Sequence, residues 1–136
     1  MADLTEGTYR ICNMSDTDTA MNVEDDGSVS VKFGGGDQQY WTLTRTANGT
    51  FQITNKHTGT QLALPAVERG AHAVCDGHTA MTWEIPGDPD RGTTVGLPGS
   101  DMYLGAELGS GPRWVELQVP GAFISSSLMS WRFQRV

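Results

Sequence analysis

Trp41-Thr42-Leu43, Trp83-Glu84-Ile85 and Trp131-Arg132-Phe133 are one phrase written three times. Each closes a short run in which apolar and polar residues alternate, and the residue two before each tryptophan is Gln39, Met81 and Met129. An opening phrase recurs too. Gly7-Thr8-Tyr9-Arg10-Ile11 returns 42 residues later as Gly49-Thr50-Phe51-Gln52-Ile53 and, more faintly, 43 later as Gly92-Thr93-Thr94-Val95. A period near forty residues means one supersecondary unit used three times, here over about 6–47, 48–90 and 91–136.

Each unit reads as four short strands. The first offers 9–12, 20–23, 29–33 and 40–43; the second 51–53, 61–64, 71–75 and 82–85; the third 94–97, 102–104, 114–119 and 130–133. Val29/Val31/Phe33 and Val115/Leu117/Val119 alternate with polar residues at period two, as half-buried strands do. Asp26-Gly27, Asn48-Gly49, Pro86-Gly87 and Pro98-Gly99 mark turns between them. No segment keeps a helical period. The expectation is an all-β fold, a β-trefoil of twelve strands in three pseudo-symmetric four-stranded repeats forming one domain over 1–136. Trp41, Trp83 and Trp131 are then core pillars, and the last strand, ending at Val136, should pair with the first.

Composition narrows the function. With 136 residues the chain can bury one core. A formal net charge of −7 without a basic cluster disfavours nucleic acid and anionic surfaces as partners. No apolar stretch approaches a membrane span, and Met1-Ala2-Asp3-Leu4 does not open a secretory signal, so a cytoplasmic protein is expected. Cys12 and Cys75 are too few for a disulfide framework and read as free thiols. Two sequons, Asn13-Met14-Ser15 and Asn48-Gly49-Thr50, carry no weight without secretion.

The units differ where function would sit. Aligned on their tryptophans, Asp37, Gln38 and Gln39 stand opposite Thr79, Ala80 and Met81, Phe33 opposite Cys75, and Asn22 near Ala63. The first unit is polar where the second is small or apolar, and the third, with its longer 120–127 segment, keeps none of these groups.

At this point the chain resembles a known family. Gly35-Gly36-Asp37-Gln38-Gln39-Tyr40-Trp41 is similar to the Gly-Gly-Asp-Asn-Gln-x-Trp stretch of ricin-B-type lectin repeats, and Phe51-x-Ile53-x-Asn55-x-x-x-Gly59-Thr60-x-Leu62 to their opening. The small cytoplasmic β-trefoil proteins of mushrooms, which include galactose- and GalNAc-binding lectins and protease inhibitors, are the nearest kin it suggests. The resemblance implies a sugar site in the first unit made by Asn22 or the Asp25-Asp26 turn, Phe33, Asp37 and Gln38, with Gln39 and Trp41 as its structural motif. It also departs from the family, with an amide at Asn22 where an acid is usual and Phe33 where Trp or Tyr is usual.

Those residue types suit a sugar. A carboxylate accepts from adjacent ring hydroxyls, an amide both donates and accepts, and an aromatic face covers the C–H patch of galactose. The expected function is a non-enzymatic lectin for galactose- or GalNAc-terminated glycans, such as the N-acetyllactosamine type, on glycoproteins or glycolipids, with a role in fungal defence. One site per chain makes any agglutination depend on a homodimer. No catalytic residue, cofactor, metal or membrane insertion is expected. His72-x-x-Cys75-x-x-His78, with Asp76, has ligand chemistry, but residues three apart on a strand face opposite sides. The rival is a protease inhibitor acting through an exposed loop at Arg69-Gly70, Arg91-Gly92 or Asn48-Gly49.

Overall fold

A computed structural model describes residues 4–87, 89–107, 113–121 and 126–136. Eight strands form ladders: β1 (Gly7–Asn13), β2 (Ala20–Val23), β3 (Val29–Lys32), β4 (Trp41–Arg45), β5 (Phe51–Asn55), β6 (Tyr103–Ala106), β7 (Arg113–Gln118) and β8 (Trp131–Arg135). Short 3₁₀ turns lie at Asp37–Gln39, Ala47–Gly49 and Ser126–Met129, and the described residues contain no α-helix. Residues 122–125 of the long 120–127 segment fall outside the described residues.

The other four expected strands, at 61–64, 71–75, 82–85 and 94–97, occur as isolated bridges rather than ladders. The cause is local. Pro65, Pro86 and Pro98 follow three of them and offer no N–H to extend pairing, while the fourth, 71–75, meets its neighbours at single residues, His72 with Glu116 and Val74 with Ser28 and Ala63.

The pairings nevertheless close a ring. β1 lies between β4 and β8, and β4 pairs β5. β5 meets the next segment at Phe51↔Trp83, that segment meets another at Glu84↔Gly96, and Thr93↔Trp131 returns the path to β8. Six segments thus form a barrel with no open edge along this path, which removes a template for aggregation. The remaining segments pair as β2–β3, Ala63↔Val74 and β6–β7. They join one another at Ser28↔Val74, Ser30↔Trp114 and His72↔Glu116, so three hairpins cap the ring. This is the β-trefoil.

The three tryptophans explain why the repeat is written around them. Each is 0% exposed, and each indole N–H donates to a carbonyl of the capping segment before it: Trp41 to Met21 at 3.1 Å, Trp83 to Leu62 at 3.1 Å, Trp131 to Leu104 at 2.9 Å. A buried indole N–H needs an acceptor, and here the acceptor fixes cap to barrel. Around them pack Ile11, Leu43, Ile53, Leu104 and Leu117 in one hydrophobic cluster.

At the seam between first and second hairpins, Cys75 N–H donates to the Gly27 carbonyl at 2.7 Å. Gly27 has φ 89°, and a Cβ there would lie 2.9 Å from the Cys75 carbonyl oxygen, so glycine is required twice over. The chain ends are tied together as β8 runs antiparallel to β1 from Tyr9↔Arg135 to Asn13↔Trp131, with Arg135 donating to the Tyr9 hydroxyl at 2.8 Å. Among the described residues no helix is long and apolar enough to cross a membrane.

Candidate functional site

The first unit opens a cleft of about 300 Å³ between the end of the β2–β3 hairpin and the chain that leads to β4. Alternation sets its wall. Asn22 on β2 and Glu24 just past it fall on one side, and Ser30 and Lys32 fall on the same side of β3, with the register Asn22↔Ser30. The glycines 34–36 then let the backbone swing out and back. Gly36, at φ 107°, adopts the left-handed region that starts the 3₁₀ turn Asp37–Gln39.

Glu24 is the organising group. Its Oε2 accepts from Asn22 Nδ2 at 2.6 Å and from Ser30 Oγ at 2.7 Å, and its Oε1 accepts from Lys32 Nζ at 3.2 Å. Partial burial by itself pushes the Glu24 carboxyl up, but the hydrogen bonds from Ser30, Lys32 and Asn22 outweigh it and hold the group below its ordinary value. The result is a fixed carboxylate whose acceptor capacity is not exhausted.

Gln39 holds the opposite wall. It is buried, donates from Nε2 to the Lys32 carbonyl at 3.0 Å and accepts on Oε1 from Arg10 Nη2 at 3.1 Å. Arg10 also reaches the Gly34 carbonyl at 3.2 Å, and Asn55 Nδ2 donates to the Gln38 carbonyl at 3.0 Å. Together these bonds fix the whole 32–39 excursion, which is the work of the Gln-x-Trp pattern here.

Of the residues singled out in the sequence, Asn22, Asp25, Phe33 and Gln38 line this one cleft. Phe33 is 66% exposed, an unusual position for a large apolar ring. Asp26 does not line it; its carboxylate accepts from the Ser28 N–H at 2.9 Å inside the hairpin turn, which lowers its pKa. Asp37 is exposed at the head of the 3₁₀ turn, next to Gln38 but outside the lining. Glu24 and Lys32 line the cleft and were not anticipated. The signal existed: two residues beyond Asn22 on a strand is the same face.

Elsewhere, Cys75 is buried, which pushes its thiol up to about 12, and among the described residues the ligand atoms of Cys75 and His78 do not gather with that of His72. Asp76 instead accepts from the His78 and Thr79 N–H groups at 2.8 and 3.0 Å. Arg69 and Arg91 lie in exposed turns. Asn48, at φ 69° and ψ 15°, and Gly49, at φ 75°, form a tight left-handed turn, whereas a segment that docks as an added strand runs extended. Asn13 is fully buried and donates to the Leu128 carbonyl, which removes the first sequon from the surface.

The model of the ricin-type β-trefoil lectin domain-like family matches residues 2–75, and the chain belongs to that family. No curated protein sequence matches it. Among solved structures, a ricin B-like lectin of Macrolepiota procera in complex with lactose is 17% identical with a TM-score of 0.85, covering 99% of this chain and 100% of that one. The Rhizoctonia solani agglutinin is 19% identical with a TM-score of 0.84, covering 100% and 99%. A Polyporus squamosus lectin bound to the epitope Neu5Acα2-6Galβ1-4GlcNAc is 15% identical with a TM-score of 0.79, covering 98% of this chain and 50% of that one.

Proposed function

We propose that this member of the ricin-type β-trefoil lectin-like family binds galactose- or GalNAc-terminated glycans, of the N-acetyllactosamine type, in the cleft of its first unit, without chemistry on the sugar. The observation that carries the reading is the juxtaposition of a carboxylate held in place by three donors, Glu24, with the Gln38 amide and the exposed Phe33 ring around one cleft. Glu24 takes the acidic role that an amide at Asn22 vacates, and Asn22 orients it. Its remaining acceptor position takes a ring hydroxyl, Gln38 serves a second, and Phe33 covers the C–H face of galactose. Asp25 borders the sugar, while Asp26 and Asp37 shape the turns on either side.

Lys32 is already paired with Glu24, so Glu24 and Asp25 leave the cleft negative. A neutral terminal sugar fits that field better than a sialylated one. A single shallow site of this kind binds a monosaccharide at about −4 kcal/mol, roughly millimolar. Agglutination then depends on a homodimer, whose avidity offsets the weak contact. A protein of this kind acts in the cytoplasm of a fungus as a defence lectin.

The test is retention on immobilised galactose, with an array of neutral and sialylated glycans alongside. Glu24→Gln and Phe33→Ala should each elute with the void, because losing a charged acceptor alone costs about 1–3 kcal/mol. Thr79→Ala, in the second unit, should be retained like the wild type. Retention of both first-unit variants at full strength would move the site elsewhere, and potent inhibition of a protease by the wild type would promote the rival reading.

A further inference from the structure

On the cap, three chain segments bring His72, Glu107 and Glu116, none of which lines the cleft, together. One potential ligand atom from each lies within 4.8 Å of the other two, and His72 Nε2 stands 3.4 Å from Glu107 Oε2. We propose that this cluster is a binding site for a divalent first-row transition ion, with zinc as its reference occupant.

The backbone brings the groups together. His72 and Glu116 are bridge partners, and the flanking bonds Ala73 N→Val115 O at 2.8 Å and Leu117 N→Ala71 O at 2.9 Å make them the non-hydrogen-bonded kind of pair. Side chains of such a pair lie closest. Glu107 follows β6, whose pairing with β7 sets Gly105 opposite Glu116.

Each ligand is also held from behind. Glu107 Oε1 accepts from the Trp114 N–H at 2.9 Å, which leaves Oε2 facing His72. Glu116 Oε1 accepts from Gln118 Nε2 at 3.3 Å, and that amide is itself buried and anchored on the Ala106 carbonyl at 3.0 Å. The His72 ring lies along Trp114, with centroids 6.2 Å apart and planes 24° apart. Metal sites are built in this way, with outer donors fixing which lone pair of each ligand points inward.

Charge and geometry favour an ion over a plain ion pair. Protonated His72 balances one carboxylate and leaves the other, and among the described residues no lysine or arginine is bonded to either. A divalent cation balances both with neutral imidazole. A zinc ion about 2.0–2.2 Å from nitrogen and oxygen ligands holds them roughly 3.3–3.5 Å apart, close to the observed His72–Glu107 separation. One nitrogen and two carboxylates suit zinc and its neighbours better than magnesium, which prefers oxygen and keeps its waters. Bound there, the ion ties the 71–75 segment to the β6–β7 hairpin across the cap.

Calorimetric titration of zinc chloride alone into the full chain tests this. One equivalent should bind, magnesium chloride should give no comparable heat, and His72→Ala and Glu116→Gln should each weaken zinc by about tenfold or more. His72 is exposed and Glu116 partly so, and dichroism should show both variants folded as the wild type. Trp114, the half-buried tryptophan at the site, should report binding as a fluorescence change that Trp114→Phe removes. His78→Ala should bind like the wild type. Absence of zinc binding by the wild type, unchanged affinity in His72→Ala, or loss in His78→Ala instead would overturn the assignment.

Discussion

The corner around Trp41 and the corner around Trp83 share their frame. Both indoles are fully buried, and both donate at 3.1 Å to a carbonyl of the segment above, Met21 in one and Leu62 in the other. Above that frame the two diverge. Where the first has Asn22, Phe33 and Gln39, the second has Ala63, Cys75 and Met81. Gln39 bridges Arg10 and the Lys32 carbonyl, whereas the Met81 sulfur only meets the Leu64 N–H at 3.1 Å. The glycine run that opens the cleft in the first corner is replaced in the second by a turn closed on Asp76. A core can thus be repeated while the surface it supports is rewritten, because the barrel contacts involve one set of positions and the cleft another.

The comparison breaks hardest at the frame. Trp41→Ala and Trp83→Ala should each cost about 3–5 kcal/mol in urea unfolding, the usual loss for a large aromatic side chain removed from a core. Similar costs at the two sites would mark them as equivalent pillars. A cost near zero at either would remove that tryptophan from the frame.

A graft sharpens the divergence. Gln39→Met gives the first corner the residue of the second, and it strips a partner from the Lys32 carbonyl and from Arg10. Leaving such groups unpaired should cost about 1–3 kcal/mol of stability, less than a tryptophan, and loosen the excursion that carries Phe33 and Gln38. Retention on galactose should fall with it. The reverse change, Met81→Gln, meets no Arg10 equivalent in the second-unit phrase, where Gln52 stands instead, and should confer no retention. A stable, retained Gln39→Met would mean that the amide does not hold the cleft.

The sequence made the frame legible and the cleft only partly so. The tryptophan phrase, the glycine-threonine echo and period-two alternation sufficed for the trefoil, since each is enforced by the core. Three of the four segments that form bridges rather than ladders, each followed by Pro65, Pro86 or Pro98, show how proline shortens a strand without displacing it. At the cleft, Asn22, Phe33 and Gln38 were readable because they sit where the units differ. Glu24 and Lys32 escaped because comparison with the second unit sets Glu24 against Pro65, a turn residue, which conceals its face. Along the chain His72 groups with Cys75 and His78. Its partners Glu107 and Glu116 come from the third unit, and only the cross-hairpin register brings them near.

The smallest expected effect separates the corners by acid. Glu24 in the first corner and Asp76 in the second are both held below their ordinary values, Glu24 by side-chain hydrogen bonds that outweigh its burial and Asp76 by the backbone N–H groups of His78 and Thr79. A carboxyl whose pKa is lower folded than unfolded binds its proton more tightly in the unfolded chain. Its contribution is therefore complete above the unfolded value, 4.5 for Glu24 and 3.8 for Asp76, and is lost as pH falls through the lower folded value. Chemical denaturation from about pH 6 down to about pH 3 should show stability declining along this limb. Glu24→Gln should flatten the limb by about 1 kcal/mol or less, given a surface pair with Lys32 that water still screens. Asp76→Asn, at a fully exposed turn, should flatten it less and only at the lower end. The order follows from the comparison itself, since the first corner holds its carboxylate with side chains that converge on a cleft and the second uses its own only to close a turn. A Glu24→Gln curve parallel to wild type at every pH would mean that Asn22, Ser30 and Lys32 do not hold that carboxylate in the folded protein.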